Sequence, residues 1–81
     1  MKDVIYQPEA LKTLRKMPAN VARRIVSKID AYAKNPESQA TNVKALKGTD
    51  AIRLRVGGWR VVMIENKVID VIKIAPRGRV Y

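Results

Sequence analysis

The sequence predicts a small α+β domain, a helical hairpin packed on one face of a small antiparallel sheet, in the order β-α-α-β-β-β. Three observations carry that expectation. Apolar residues in the first half recur at helical spacing, three and four positions apart. From Ala51 the period drops to two, with apolar residues alternating with charged ones. A Gly57-Gly58 pair divides two such runs, and both central positions of a type I′ turn need positive φ, which glycine supplies without strain. A chain of 81 residues has room for a single domain, 1–81, with a thin core.

Asp3 to Tyr6 reads as a short strand, closed by Pro8, which cannot donate to a ladder but suits the first turn of a helix. Glu9 to Met17 carries Ala10, Leu11, Leu14 and Met17 as one apolar stripe, and Pro18 ends it. A second helix starts near Ala19 or Asn20, with Asn20 a plausible N-cap, and presents Val21, Ala22, Ile25, Ile29, Tyr32 and Ala33 on one face until Asn35-Pro36. Residues 37–50 are polar and turn-rich, a connecting loop with space for one helical turn, anchored by Val43 and Leu46.

The hairpin around Gly57-Gly58 fixes a register. Val56 faces Trp59, Arg55 faces Arg60, Leu54 faces Val61 and Arg53 faces Val62. Directly opposed residues share a face, so Arg53, Arg55 and Arg60 gather on one side. Ile52, Leu54, Val56, Trp59, Val61 and Met63 form the other. A third strand, Val68 to Ala75, has two available registers. A two-residue Asn66-Lys67 loop sets Ile64 against Ile69, Val62 against Val71 and Arg60 against Lys73; a three-residue loop turns Lys73 toward the core. The first is preferred, because burying an unpaired ammonium is costly. The tail, residues 76–81, leaves the sheet through Pro76.

Lys+Arg 17 against Asp+Glu 7 gives a formal net charge of +10, which points to a polyanionic partner, nucleic acid first, or to an acidic neutralising protein. Cysteine and histidine are both absent, which removes disulfides, thiolate or imidazole metal sites, and the side chain best suited to proton transfer near neutrality. No metal site and no cofactor is expected. No apolar run approaches the length of a membrane span and the N-terminus has no signal-peptide pattern, so a cytoplasmic protein is the expectation.

Arg55 opposite Arg60 is a like-charge pair, destabilising by some tenths of a kcal/mol. A sheet that accepts it, with Arg53 and Lys73 beside it, is suited to hold anions, since the guanidinium fork matches phosphate oxygens. The plainer reading is a solvated polar face of a one-sided sheet. Trp59 belongs on the core side, with base stacking as its other reading. Tyr6 and Tyr32 read as packing residues. Tyr81, following Arg77-Gly78-Arg79, is either a frayed end or a phenol whose pKa neighbouring cations depress. Lys44 and Lys47 are candidate phosphate-steering charges, and Asp50 is a remote candidate for proton transfer.

Several spaced elements together resemble the RelE/ParE superfamily of bacterial and archaeal toxins. They are Asn35-Pro36, then Val43-Lys44-Ala45-Leu46-Lys47-Gly48, then Ile52 through Val62, and the ending Arg77-Gly78-Arg79-Val80-Tyr81. The resemblance spans the whole chain. It implies a toxin of a toxin–antitoxin pair, with an acidic antitoxin as partner and contact with operator DNA only through that antitoxin. RelE-type members cleave messenger RNA in the decoding site of the ribosome; ParE-type members poison DNA gyrase. Carried over residue by residue, RelE-type catalysis implicates Arg53, Arg55, Arg60, Arg77 and Tyr81. Lys44, Lys47, Lys73 and Arg79, read from their charge and position alone, are added as substrate-binding charges. The fuller basic set favours RNA cleavage, by 2′-OH attack giving a 2′,3′-cyclic phosphate and a 5′-OH. A gyrase poison without nuclease activity is the alternative, and a neutral RNA-binding module the third reading.

Overall fold

The computed structural model describes residues 2–76. Strand β1 (Val4–Tyr6) leads into helix α1 (Pro8–Lys16) and helix α2 (Ala19–Lys34). A 3-10 segment (Pro36–Asn42) follows, then strands β2 (Val43–Ala45), β3 (Ala51–Val56), β4 (Trp59–Glu65) and β5 (Ile69–Pro76). The five-stranded sheet has the order β1-β5-β4-β3-β2. The α+β class and the helical hairpin on one sheet face are as the sequence predicts, while the loop read over 37–50 contains a further strand. Three residues are too few to display a period of two, so β2 declares itself only through its ladder to β3, Val43 opposite Leu54 and Lys44 opposite Arg53. The sheet is also mixed: β1 runs parallel to β5, Val4 opposite Ile69 and Tyr6 opposite Val71.

Proline punctuates both helices. Pro8 occupies the first turn of α1, where its missing N–H has no partner to lose. Pro18 takes the N-cap position of α2 and its carbonyl accepts from the Val21 and Ala22 N–H groups, both at 3.0 Å. Asn20 therefore lies inside the helix and is not the cap. Ala10, Ile25, Ile29, Tyr32 and Ala33 form the buried stripe of the two helices, and Leu11, at 37% exposure, falls outside it. Against that stripe pack Leu54, Val56, Val61, Met63, Ile69, Val71 and Ile74 from the sheet. A fully buried Leu or Ile contributes about 1.5–3 kcal/mol, so this one-sided core is the main stabilising layer.

The β3–β4 hairpin adopts the expected register, with Arg55 opposite Arg60 and Arg53 opposite Val62. Gly57 takes φ 58° but Gly58 does not take a positive φ, so the turn has positive φ at its first central position alone, the pattern of type II′ rather than the type I′ the glycine pair suggests. Between β4 and β5 the register differs from the preferred one. The loop is the three-residue Asn66–Val68, with Glu65 opposite Ile69 and Met63 opposite Val71. That offset alone would carry Lys73 to the core. A bulge intervenes: Val62 faces Lys73 directly after Met63 faces Val71, which leaves Ile72 unmatched. One extra residue reverses the side-chain alternation, so Lys73 returns to the open face. Its cross-strand neighbour is Val62 rather than Arg60, which instead faces Ala75.

Candidate nucleic-acid interface and active site

The face of the sheet away from the helices is organised in rows by these registers. Nearest the Gly57-Gly58 turn, Arg55, Arg60 and Ala75 lie side by side across β3, β4 and β5. The next row is Lys44, Arg53, Val62 and Lys73. Beyond it come Ala51, Ile64, Asp70 and Ile5. The face is thus cationic at its hairpin end and mostly apolar at the other, where Asp70 accepts a hydrogen bond from Gln7 Nε2 at 3.2 Å. Strand spacing places opposed residues roughly 5 Å apart and alternate residues of one strand roughly 6–7 Å apart. At that pitch, neighbouring guanidinium groups can meet oxygens of the same or adjacent phosphates.

Each cation has its own setting. Arg55 is exposed and has no acidic partner among the described residues. Arg53 and Arg60 are half-buried, and Arg60 Nη1 donates to the Trp59 carbonyl at 3.3 Å, which ties its guanidinium to the strand. Lys44, read as a loop residue, lies on β2 directly opposite Arg53. Together with Thr41, Asn42, Arg55 and Arg60, these two line a small depression of about 70 Å³. Lys47 is exposed in the β2–β3 turn and lines no cleft with the arginines. Asp50 is exposed, immediately precedes β3, and lies three residues before Arg53. Trp59 faces the core and packs against it, as its pairing predicts. Arg77, Arg79 and Tyr81 lie outside the described residues.

A larger cleft, about 490 Å³, adjoins the first row where α2 passes the β3–β4 turn. Its walls include Arg24 and Lys28 of α2 together with Asn42, Arg55, Arg60 and the Gly57-Gly58 backbone. Sequence reasoning missed Arg24 and Lys28. Their signal was present: four residues apart, both lie one position before the buried Ile25 and Ile29, which gives them a common helix face at the edge of the core stripe.

The groups with displaced pKa values lie elsewhere. Burial first, then the hydrogen bond to Glu65, pushes the Tyr32 phenol up to about 12. Its O–H donates to Glu65 Oε1 at 2.6 Å while Lys2 Nζ donates to Oε2 at 3.0 Å, and these donors, Tyr32 first, hold the Glu65 carboxyl below its usual range despite its partial burial. Burial, with Asp30 nearby, also pushes Tyr6 to about 12, and its buried hydroxyl has no hydrogen-bond partner among the described residues. Both phenols are packing groups of the helical side, as their sequence context predicts. Among the described residues no cluster of acids could hold a metal ion, and no helix is long and apolar enough to cross a membrane.

A helical hairpin on one side of a mixed sheet, with a cationic array on the other, defines a small α+β domain with one basic face. Residues 4–81 match the family model described as ParE toxin of type II toxin-antitoxin system, parDE. Among solved structures, the archaeal RelE–RelB complex from Pyrococcus horikoshii OT3 is similar at 32% identity and a TM-score of 0.81, covering 96% of this chain and 97% of that one. The intact E. coli RelBE toxin–antitoxin complex follows at 25% identity and a TM-score of 0.73, covering 98% and 100%. The isolated E. coli RelE toxin shares the fold, with a TM-score of 0.77 at 24% identity over 98% of this chain and 87% of that one. No curated protein matches at a significant level. The chain belongs to the RelE/ParE superfamily, in the ParE toxin family of type II toxin–antitoxin systems, and it is RelE-like in structure.

Proposed function

We propose that this toxin is an endoribonuclease that cleaves messenger RNA on the ribosome, in the cytoplasm, and thereby stops translation. The observation that carries the reading is the array of Arg53, Arg55 and Arg60 on the open sheet face of a chain 32% identical to an archaeal RelE. The array suits transition-state stabilisation, because cations held by strands need no reorganisation when charge develops on a phosphorane. In the proposed reaction the ribose 2′-OH gives up its proton and its oxygen attacks the adjacent phosphorus in line. The P–O5′ bond breaks, leaving a 2′,3′-cyclic phosphate, and the departing 5′ oxygen takes up a proton. Arg60 and Arg77 clamp the non-bridging oxygens, Tyr81 is the candidate base, and Arg53 and Arg55 assist proton movement and hold flanking phosphates. Lys44 and Lys73 flank the array on the same face, and Lys47 and Arg79 add long-range attraction for the polyanion. Ribosomal positioning of the message would supply the in-line geometry. An acidic antitoxin that covers the cationic face neutralises the toxin, and operator DNA is reached through that antitoxin.

Primer extension on ribosome-bound messages after brief induction tests the proposal. Arg60→Ala and Tyr81→Ala should each remove the cuts, with loss of one electrostatic clamp lowering the rate about 10²–10³-fold. Intact messages accompanied by broken chromosomal DNA would overturn it. That outcome supports the second reading, a gyrase poison, which the match to the ParE family model favours.

A further inference from the structure

We infer that the cleft between α2 and the β3–β4 turn is a second phosphate subsite, and that Arg24 and Lys28 position the RNA strand after it has crossed the sheet face. This rests on the reading of the cationic face as an RNA site and extends that site around the edge of the sheet. Arg55 and Arg60 line both the small depression with Lys44 and Arg53 and the larger cleft with Arg24 and Lys28. The two hollows therefore adjoin, sharing Asn42, Arg55 and Arg60 as wall. A polyanion gripped at Lys44 and Arg53 has an unbroken cationic path over the Arg55–Arg60 row to α2.

The character of the cleft matches a nucleotide backbone better than an apolar ligand. Its walls carry Arg24, Lys28, Arg55 and Arg60, with no acid among them, and a side-chain amide from Asn42. Arg24, Lys28 and Arg55 have no ion-pair partner among the described residues. Unneutralised like charges converging on a concave surface focus an attractive field for anions. At about 490 Å³ the cleft falls within the range of roughly 300–1,000 Å³ that small-ligand sites occupy. Gly57 and Gly58 contribute wall without bulk: a Cβ built at either position meets nothing within 4 Å, so the turn side of the cleft is open to an approaching backbone. The helix is a rigid mount, since Ile25 and Ile29, each next in sequence to one of the two cations, are fully buried.

The test uses single-stranded oligoribonucleotides with 2′-O-methyl riboses, which lack the attacking hydroxyl, and reads affinity by fluorescence polarisation over a series of salt concentrations. The paired variant Arg24→Ala/Lys28→Ala is compared with Arg23→Ala/Lys34→Ala, which removes the same charge from exposed positions of the same helix outside the cleft. Each lost phosphate contact lowers the salt slope by about 0.7, so the cleft variant should lose about 1.4 and the control variant close to none. Shortening the oligonucleotide until it no longer reaches the cleft should abolish the difference between wild type and the cleft variant. Equal slopes for the two variants, or a difference that persists with the shortest oligonucleotide, would overturn the subsite. Message cleavage is scored separately. Absence of cleavage with a cleft-specific slope change refutes the ribonuclease reading and leaves the subsite standing, whereas cleavage with equal slopes does the reverse.

Discussion

Replacing Arg55 by threonine should make the protein more stable and a poorer RNA binder. Arg55 stands directly opposite Arg60 and two residues from Arg53 on the same face, with no acidic partner among the described residues. Two unit charges roughly 6 Å apart in water repel by about 0.7 kcal/mol. That agrees with the range of about 0.2–1 kcal/mol for like charges opposed across strands. Threonine suits a strand position that is already exposed, so the substitution removes repulsion without exposing core. For a domain of this length about 1 kcal/mol moves Tm by about 4–8 °C, so Arg55→Thr should raise Tm by about 1–8 °C in dilute buffer. The gain should vanish near 1 M salt, where the screening length has fallen to about 3 Å from about 30 Å at 0.01 M. Thermal unfolding followed by circular dichroism at both salt concentrations measures this. A Tm that falls at low salt, or a gain that survives at 1 M, would show that the arginine row carries no electrostatic strain.

Tyr32→Phe deletes the 2.6 Å donor to Glu65 and should cost about 1–2 kcal/mol, toward the low end because the Glu65 side chain retains 26% exposure and water can replace the donor. Since Glu65 is held below its ordinary range, the stability it confers is present above the unfolded carboxyl pKa and is lost as pH falls through the folded value. The gap between wild type and Tyr32→Phe should therefore close on acidification, and a pH-independent gap in denaturant titrations would refute the ionic part of the contact. At the alkaline end, Tyr6 and Tyr32 are both pushed up to about 12, so stability should be full below about pH 10 and fall between 10 and 12. With 3 tyrosines in the chain, any tyrosinate absorbance below pH 10 then belongs to Tyr81, and Tyr81→Phe should remove it. If no tyrosinate forms below pH 10, Tyr81 is not a base of depressed pKa.

The parts of this protein that its sequence determined are those set by short-range geometry. A two-residue glycine turn and a period of two pair Arg55 with Arg60 and separate them from Leu54, Val61 and Trp59, with no knowledge of the rest of the chain. The helical stripes through Ile25 and Ile29 are equally local, because a period of 3.6 is written in consecutive residues. Tertiary structure alone decided what depends on distant partners. Val43–Ala45 is a strand because β3 offers it an edge, and β1 lies parallel to β5 although 62 residues separate the end of one from the start of the next in sequence, Tyr6 to Ile69. The bulge at Ile72 reconciles a three-residue turn with a Lys73 on the open face, a balance between core packing and ammonium solvation that no local pattern records. Arg24 and Lys28 become part of the site for the same reason. Amphipathicity gives a helix a buried face, but only packing chooses which end of the sheet its flank overlies, and here it is the arginine row.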